Sequence, residues 1–189
     1  FAVAFIDIDD FKIVNDSIGH AAGDNLLKEM AVRLSIAAGP NAILSRFGGD
    51  EFTLLLENAD EAAAAATAQR IIESLKQPIT VGDFEIYSGV SIGIALHPAH
   101  GNDISSLLQN ADGAMYHAKE QGKNTYSFFN DDLQIKAAIQ LQVESGLPRA
   151  IAENELVLHY QPQVELDSGR VLGLEALVRG ENHPDGIVF

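Results

Sequence analysis

The sequence predicts an α+β fold, with helices packed on a mainly antiparallel sheet, from three features. Apolar runs of strand length alternate with stretches of helical period. The runs "AILSRF" and "EFTLLLE" adjoin through Gly48 and Gly49, which makes a β-hairpin. The order reads strand, helices, hairpin, helix, strands, helix, strand, so hairpins supply most of the strand neighbours.

Taken in order, "FAVAFIDID" is the first strand, and the chain opens on it at once, as a piece cut from a longer protein would. A short helix follows over residues 11–18, then a longer one from residue 24 to about 38 with Leu26, Leu27, Met30 and Leu34 at helical spacing. In the hairpin, glycine supplies the positive φ that a tight turn needs. Asp60 starts an alanine-rich helix whose Ala64, Ala68, Ile71 and Leu75 share one face. "ITVGDFEIYSGVSIGIALHP" reads as two strands about the Gly82-Asp83 turn, with Phe84 and Tyr87 in the core.

Asp103 is an N-cap candidate for a further helix that turns Ile104, Leu107, Leu108, Ala111, Met115 and Ala118 inward and stops near Gly122. "TYSFF" closes this first region, residues 1–130. Residues 131–153 form a helical connector, with apolar character repeating at Ile135, Ala138, Ile139, Val143 and Leu147. Residues 154–189 begin a second domain, with two strands about Asp167-Ser168-Gly169, that the chain leaves incomplete.

Twelve Lys and Arg against 27 Asp and Glu give the 189 residues a formal charge of −15. That surplus repels phosphate backbones and anionic lipid, which argues against nucleic-acid binding and direct membrane contact. A polyphosphate ligand would need a local cationic patch or a metal. With 47% hydrophobic residues the chain is globular. No apolar run approaches the roughly 18 residues a membrane span requires, so the chain reads as soluble; the expected location is cytoplasmic, with membrane attachment of the parent protein through a missing N-terminal region as the alternative. Cysteine is absent, which removes disulfides and thiolate chemistry.

Carboxylates gather at two places. Asp7 and Asp9 differ by two and leave the same face if the first strand continues that far, although Asp9 or Asp10 could instead cap the next helix. Asp50 and Glu51 follow the glycines of a hairpin whose strands could lie beside it. Neighbouring strands sit about 4.8 Å apart, close enough for Asp7 and Asp50 to share a divalent ion. All-oxygen ligation favours Mg²⁺, with Mn²⁺ as the alternative, and such an ion completes its shell with phosphate oxygens and water. Lys12, Lys119 and Lys123 would complete the site, though each alone also reads as a solvated surface lysine. His97 and His100 have the spacing of a zinc pair but lack further ligands, so they read as loop histidines. His20 reads as a brace for the turn after the first helix.

"DIDDFKIVNDSIGHAAGDNLL", "RFGGDEF" and "ADGAMYHAKEQGKNTY", three separated motifs in family order over about two-thirds of the chain, resemble the GGDEF family of diguanylate cyclases. The resemblance implies a fold related to nucleotide-cyclase and polymerase palm domains, and condensation of two GTP to cyclic di-GMP with release of two pyrophosphates. It implies Mg²⁺ on Asp7, Asp50 and the carbonyl of Ile8, and guanine read by Asn15 and Asp24. Lys12, Lys119 and Lys123 would contact the triphosphate. The family often carries Arg at the last of these, and lysine there gives a point charge instead of a planar fork. Glu51 resembles the catalytic acid residue, either accepting the 3′-hydroxyl proton or helping to hold a second metal, and Gly48 and Gly49 would let backbone approach the nucleotide. A product joining two GTPs symmetrically requires a homodimer.

In the tail, "LHYQPQV" and "GLEALVRG" resemble the opening of an EAL domain, the family of cyclic di-GMP phosphodiesterases, with Glu175 as one metal ligand and Arg179 as a phosphate contact. Where that family usually has Arg-Trp-x-His-Pro, this chain has "RGENHP". The remaining ligands would lie beyond Phe189, so this stretch alone should not hydrolyse the dinucleotide. The leading expectation is a cyclase domain with an EAL domain in cis. The alternative is a silent GTP-binding module that regulates the adjoining phosphodiesterase, and a purely structural dimerisation unit ranks last.

Many GGDEF domains carry an Arg-x-x-Asp pair upstream of the glycines that binds product. Here those positions hold Gly39-Pro40-Asn41-Ala42, with neither charge. Residues 1–130 should therefore show no saturable cyclic di-GMP binding in equilibrium dialysis, and saturation would contradict the assignment.

Overall fold

Every residue of β1 (Ala2–Ile8) is buried, the mark of a strand covered on both faces. In a computed structural model of the chain, which describes residues 1–180 without the side chains of 133–138, 140–142 and 144, β1 is the middle strand of a five-stranded sheet. The order is β2 (Ala42–Gly48), β3 (Glu51–Leu56), β1, β6 (Val90–Leu96), β7 (Tyr126–Phe128). β1 runs antiparallel to both neighbours, β2 runs antiparallel to β3, and only β7 is parallel to its partner.

The two-residue period of β1 divides its side chains between two helical layers. Ala4, Ile6 and Ile8 join a core built with Leu26, Met30 and Leu34 of α2 (His20–Ala38) and Ala64, Ala68 and Ile71 of α3 (Glu61–Ser74). Val3 and Phe5 face the other way, onto Leu107, Ala111 and Met115 of α4 (Ile104–Glu120).

Local chemistry sets the helix ends. α1 (Phe11–Ile18) breaks at Gly19, whose φ of 89° suits glycine. α2 then begins at His20, four residues before the expected start at 24, because the amides of Ala22 and Gly23 already bond to the Gly19 carbonyl. The Asp60 carboxylate accepts from the Ala63 amide at 2.8 Å and caps α3. Asp103 and Ser106 form a reciprocal capping box on α4. Ile104, expected to point inward, is 73% exposed, since the first helical residue after that cap precedes the stripe on the sheet.

The stretch expected as two strands is three. β4 (Ile79–Val81) and β5 (Phe84–Ile86) pair as a separate small hairpin around Gly82, and only β6 enters the main sheet. Phe84 and Tyr87 are 54% and 73% exposed, not core. The small hairpin buries Ile79, Val81 and Ile86 instead, and Arg33 ties its base to α2 through the carbonyls of Gln77 and Pro78.

The chain divides into two compact units, Phe1–Gln134 and a second that begins at Ile135. α5 (Asp131–Ala152) crosses the division. In the second unit β8 (Leu156–Val164) and β9 (Val171–Gly180) form an antiparallel hairpin, with Gly169 at φ 69° in its turn. The departure at "RGENHP" lies, past Gly180, outside the described residues.

Gly93 of β6 lies under α4 so closely that a Cβ would stand 1.9 Å from the Ala111 carbonyl oxygen and 2.1 Å from the Met115 nitrogen. Neither backbone atom can yield without moving the helix. Gly93→Ala should cost about 3 kcal/mol or more in urea unfolding.

Candidate functional site

β1 runs out in Asp7, Ile8, Asp9 and Asp10, and the three carboxylates all reach α4 and the turn that follows it. Asp7 Oδ2 lies 2.8 Å from Lys119 Nζ. Asp9 accepts from Ser91 Oγ at 2.7 Å and from the backbone amide of Asn124 at 2.8 Å. Lys123 Nζ donates to Asp10 Oδ1 at 2.7 Å. Asp10 occupies the position ahead of α1, but its side chain caps nothing. The capping alternative for Asp9 or Asp10 therefore fails, because both carboxylates are engaged across the sheet.

The glycine hairpin closes the opposite side. Register places Glu51 directly across from Asp7, and the Ile8 amide donates to the Asp50 carbonyl at 3.3 Å. Of the two glycines only Gly49 adopts a positive φ, 51°. Arg46 donates to the Gly49 carbonyl from Nε at 2.9 Å and Nη2 at 2.6 Å. This arginine holds the turn, and a register shift between Arg46 and Gly48 lets the hairpin bend there. Sequence reasoning passed over Arg46, although a cation just before a glycine turn was the available signal.

The acidic side chains here crowd one another. Burial pushes the Asp7 carboxyl above its ordinary value; Lys119 opposes this, while Asp50 and Asp9 add to it. Glu51 is also raised, by burial first and then by Asp7, Asp112 and Asp50. Asp112 of α4, which sequence reasoning also missed, is raised by burial despite the nearby Lys119. Its bond to Asp10 pushes Lys123 upward. Among the described residues no three His, Asp or Glu side chains converge as a self-sufficient metal centre. Two carboxylates and the Ile8 carbonyl suit a hard cation that takes its other ligands from a bound phosphate and water.

Across the sheet, Asn15 of α1 approaches the first turn of α2. Its Oδ1 is buried without a hydrogen-bond partner, and a Cβ on Gly23 would stand 2.0 Å from that atom. The missing side chain at Gly23 is what lets Asn15 lie there. Asp24 lines a pocket of about 450 Å³ with Leu27, Lys28, Leu44, Arg46 and Phe52. Lys12 is exposed on α1. The structure thus gathers Asp7, Asp50, Glu51 and Lys119, joins Lys123 to Asp10, and sets Asn15 against the turn that carries Asp24. Glu175 belongs to the second unit, on β9 opposite Gln161.

The histidines have structural contacts. His97 stacks on Phe1 with ring centroids 4.5 Å apart. His100 Nδ1 accepts from the Leu96 amide at 3.1 Å, and burial holds its pKa down.

Ionised Glu51 works against folding, because its carboxyl is raised in the folded chain. Above that raised value the penalty is present in full, and it disappears as pH falls through it. Glu51→Gln should therefore raise stability by about 0.5–1 kcal/mol at pH 8, and the gain in urea midpoint should shrink at pH 4.

Residues 1–125 match the family described as "Diguanylate cyclase, GGDEF domain". The whole chain is 44% identical over 188 residues to the bifunctional diguanylate cyclase/cyclic di-GMP phosphodiesterase MucR of Pseudomonas aeruginosa, of which it spans 27%. Over 98% of its length it is 38% identical to the cyclic di-GMP phosphodiesterase PdeR of Escherichia coli, spanning 28% of that protein. The chain thus covers little more than a quarter of either relative. Among solved structures, an EAL/GGDEF domain protein from M. capsulatus is 47% identical with a TM-score of 0.64, over 68% of this chain and 84% of that one.

Proposed function

Because this chain belongs to the GGDEF family of diguanylate cyclases, we propose that its first unit binds Mg²⁺-GTP where β1 meets the Gly48-Gly49 hairpin and, facing a second copy, condenses two GTP to cyclic di-GMP. The observation that carries this reading is the 2.8 Å ion pair of Lys119 with Asp7. It sets one cation and one anion side by side at a point where a metal and a phosphate would each offer one of them a new partner.

Asp7, Asp50 and the Ile8 carbonyl would hold the Mg²⁺ ion. Bound there with the triphosphate, Mg²⁺ would supply polarisation of the α-phosphate and charge stabilisation on the leaving pyrophosphate. Lys119 and Lys123 turn from Asp7 and Asp10 to the phosphate oxygens, and Lys12 reaches them from α1. Asn15 offers its unpartnered Oδ1 to the N–H edge of guanine, and Asp24 accepts from the same edge. These groups orient the α-phosphorus of one nucleotide toward the 3′-hydroxyl held by the second copy. The oxygen–phosphorus bond forms, pyrophosphate departs, and the hydroxyl proton is lost. Glu51, its carboxyl raised by burial and then by neighbouring carboxylates, lies beside Asp7 to accept that proton or to help hold a second ion. The reaction repeated in the other direction closes the ring, so each copy contributes one nucleotide. A GTP substrate places this unit in the cytoplasm.

A second reading is favoured by the phosphodiesterase relative, which carries a matching segment under a hydrolytic name. In it the unit binds GTP without turnover and tunes an EAL domain in cis, to which residues 154–189 and Glu175 would belong.

Incubation of the chain at dimerising concentration with GTP and Mg²⁺ should yield cyclic di-GMP and two equivalents of pyrophosphate by chromatography. Asp50→Ala should lower the rate by a factor on the order of 10³ or more. GTP that binds but stays intact, while altering dinucleotide hydrolysis by the full-length protein, would replace the first reading with the second.

A further inference from the structure

The tie between the end of β1 and the turn after α4 contains one carboxylate with no part in the nucleotide chemistry above. Asp9 is 6% exposed and its partner Ser91 is wholly buried. Its Oδ1 accepts from Ser91 Oγ and its Oδ2 from the Asn124 amide. Its backbone is held as well: the Asp9 amide donates to the Gly89 carbonyl at 3.0 Å, and its carbonyl accepts from Ser88 Oγ at 3.0 Å. Asn124 in turn lies so close over Gly89 that a Cβ there would stand 2.7 Å from the Asn124 Oδ1.

We propose that Asp9 is a positioning residue for phosphate binding: its buried carboxylate fastens the turn at residues 122–124 to the end of β1 and so keeps Lys123 in place when a triphosphate takes it from Asp10. Asp7 meets Lys119 on α4, while Asp9 and Asp10 both reach the turn. The Asp7 and Asp10 links are given up when the lysines move to phosphate. The Asp9 link to the Asn124 amide uses no group the ligand needs, so of these three carboxylate links it is the one that persists.

The turn requires such a fastening. Lys123 and Asn124 are consecutive non-glycine residues at φ 63° and 46°, the left-handed region that asparagine tolerates and lysine seldom adopts. Lys123 therefore leaves the helix end in a direction set by strained backbone, and releasing the Asn124 amide would let that direction drift. A charged acceptor makes the stronger hydrogen bond to an amide, and an asparagine at position 9 offers a weaker acceptor together with an unwanted donor.

This inference rests on the nucleotide reading of the site, and the test separates the two. Binding is measured by calorimetry on the 189-residue chain with Mg²⁺ and two probes: GMP, and a GTP analogue with an α,β-methylene bridge that cannot release pyrophosphate. The unaltered chain should prefer the triphosphate analogue. Asp9→Asn should weaken that ligand at least tenfold and change GMP affinity less than twofold. Equal losses for both probes, or no loss for either, would overturn the positioning role. An unaltered chain that binds both probes equally would instead reject the phosphate role of the lysines, and the proposal with it. If Asp9→Asn fails to fold, hydrogen exchange on the unaltered chain decides. The Asn124 amide should be protected without ligand and stay protected when the analogue binds, and loss of protection on binding would overturn the proposal.

Discussion

The first unit depends on how charge is balanced at the end of β1. Asp7, Asp9 and Asp10 crowd three carboxylates into four residues, with Asp50 and Glu51 brought against them by the neighbouring hairpin. Such a cluster persists in a folded chain only if cations or hydrogen-bond donors meet it. Here they arrive together from the C-terminal end of α4 and its turn: Lys119, Lys123 and the Asn124 amide. The same contacts that make the acidic strand end tolerable therefore put cationic side chains beside candidate metal ligands. The contacts that stabilise the strand end are also those of the candidate site.

That arrangement is possible because β1 is central. Its alternate residues lie in two cores, one with α2 and α3 and one with α4, so its direction and register are fixed along seven residues. Antiparallel pairing with β3 sets Asp7 against Glu51, and a slip of one residue would turn Asp7 to the other face. Gly93 lets α4 lie against β6 closely enough for Lys119 to reach Asp7 from the end of that helix. The close approach of helix to sheet and the position of the lysine are one constraint.

Membership in the GGDEF family settles the kind of domain this is but not whether it turns GTP over, since relatives of similar identity carry the names of a bifunctional enzyme and of a phosphodiesterase. The features that bear on turnover are local: an unpartnered Asn15 oxygen, a raised Glu51 and lysines paired with acids. Upstream of the glycines, Gly39 ends α2 at φ 89° and its carbonyl accepts from the Ala42 amide. A tight turn without charge therefore stands at Gly39-Pro40-Asn41-Ala42.

Much of this was legible in the sequence because it depended on near neighbours in the chain. The apolar stripe of α3, the caps at Asp60 and Asp103, and the glycine hairpin are encoded within a few residues of where they act. The early start of α2 escaped because a single turn at Gly19 outweighs propensity. The exposure of Phe84 and Tyr87 escaped because an aromatic residue is core only if another layer covers it: Phe84 lies in a hairpin apart from the main sheet, and Tyr87 in the irregular link between that hairpin and β6. The sequence by itself determined which residue types the site contains, since motif spacing is a property of the chain. Tertiary structure alone decided what each of them meets: Asp9 finds Asn124, Asp10 finds Lys123 and Arg46 braces Gly49, because long-range partners are chosen by how strands and helices pack rather than by sequence distance.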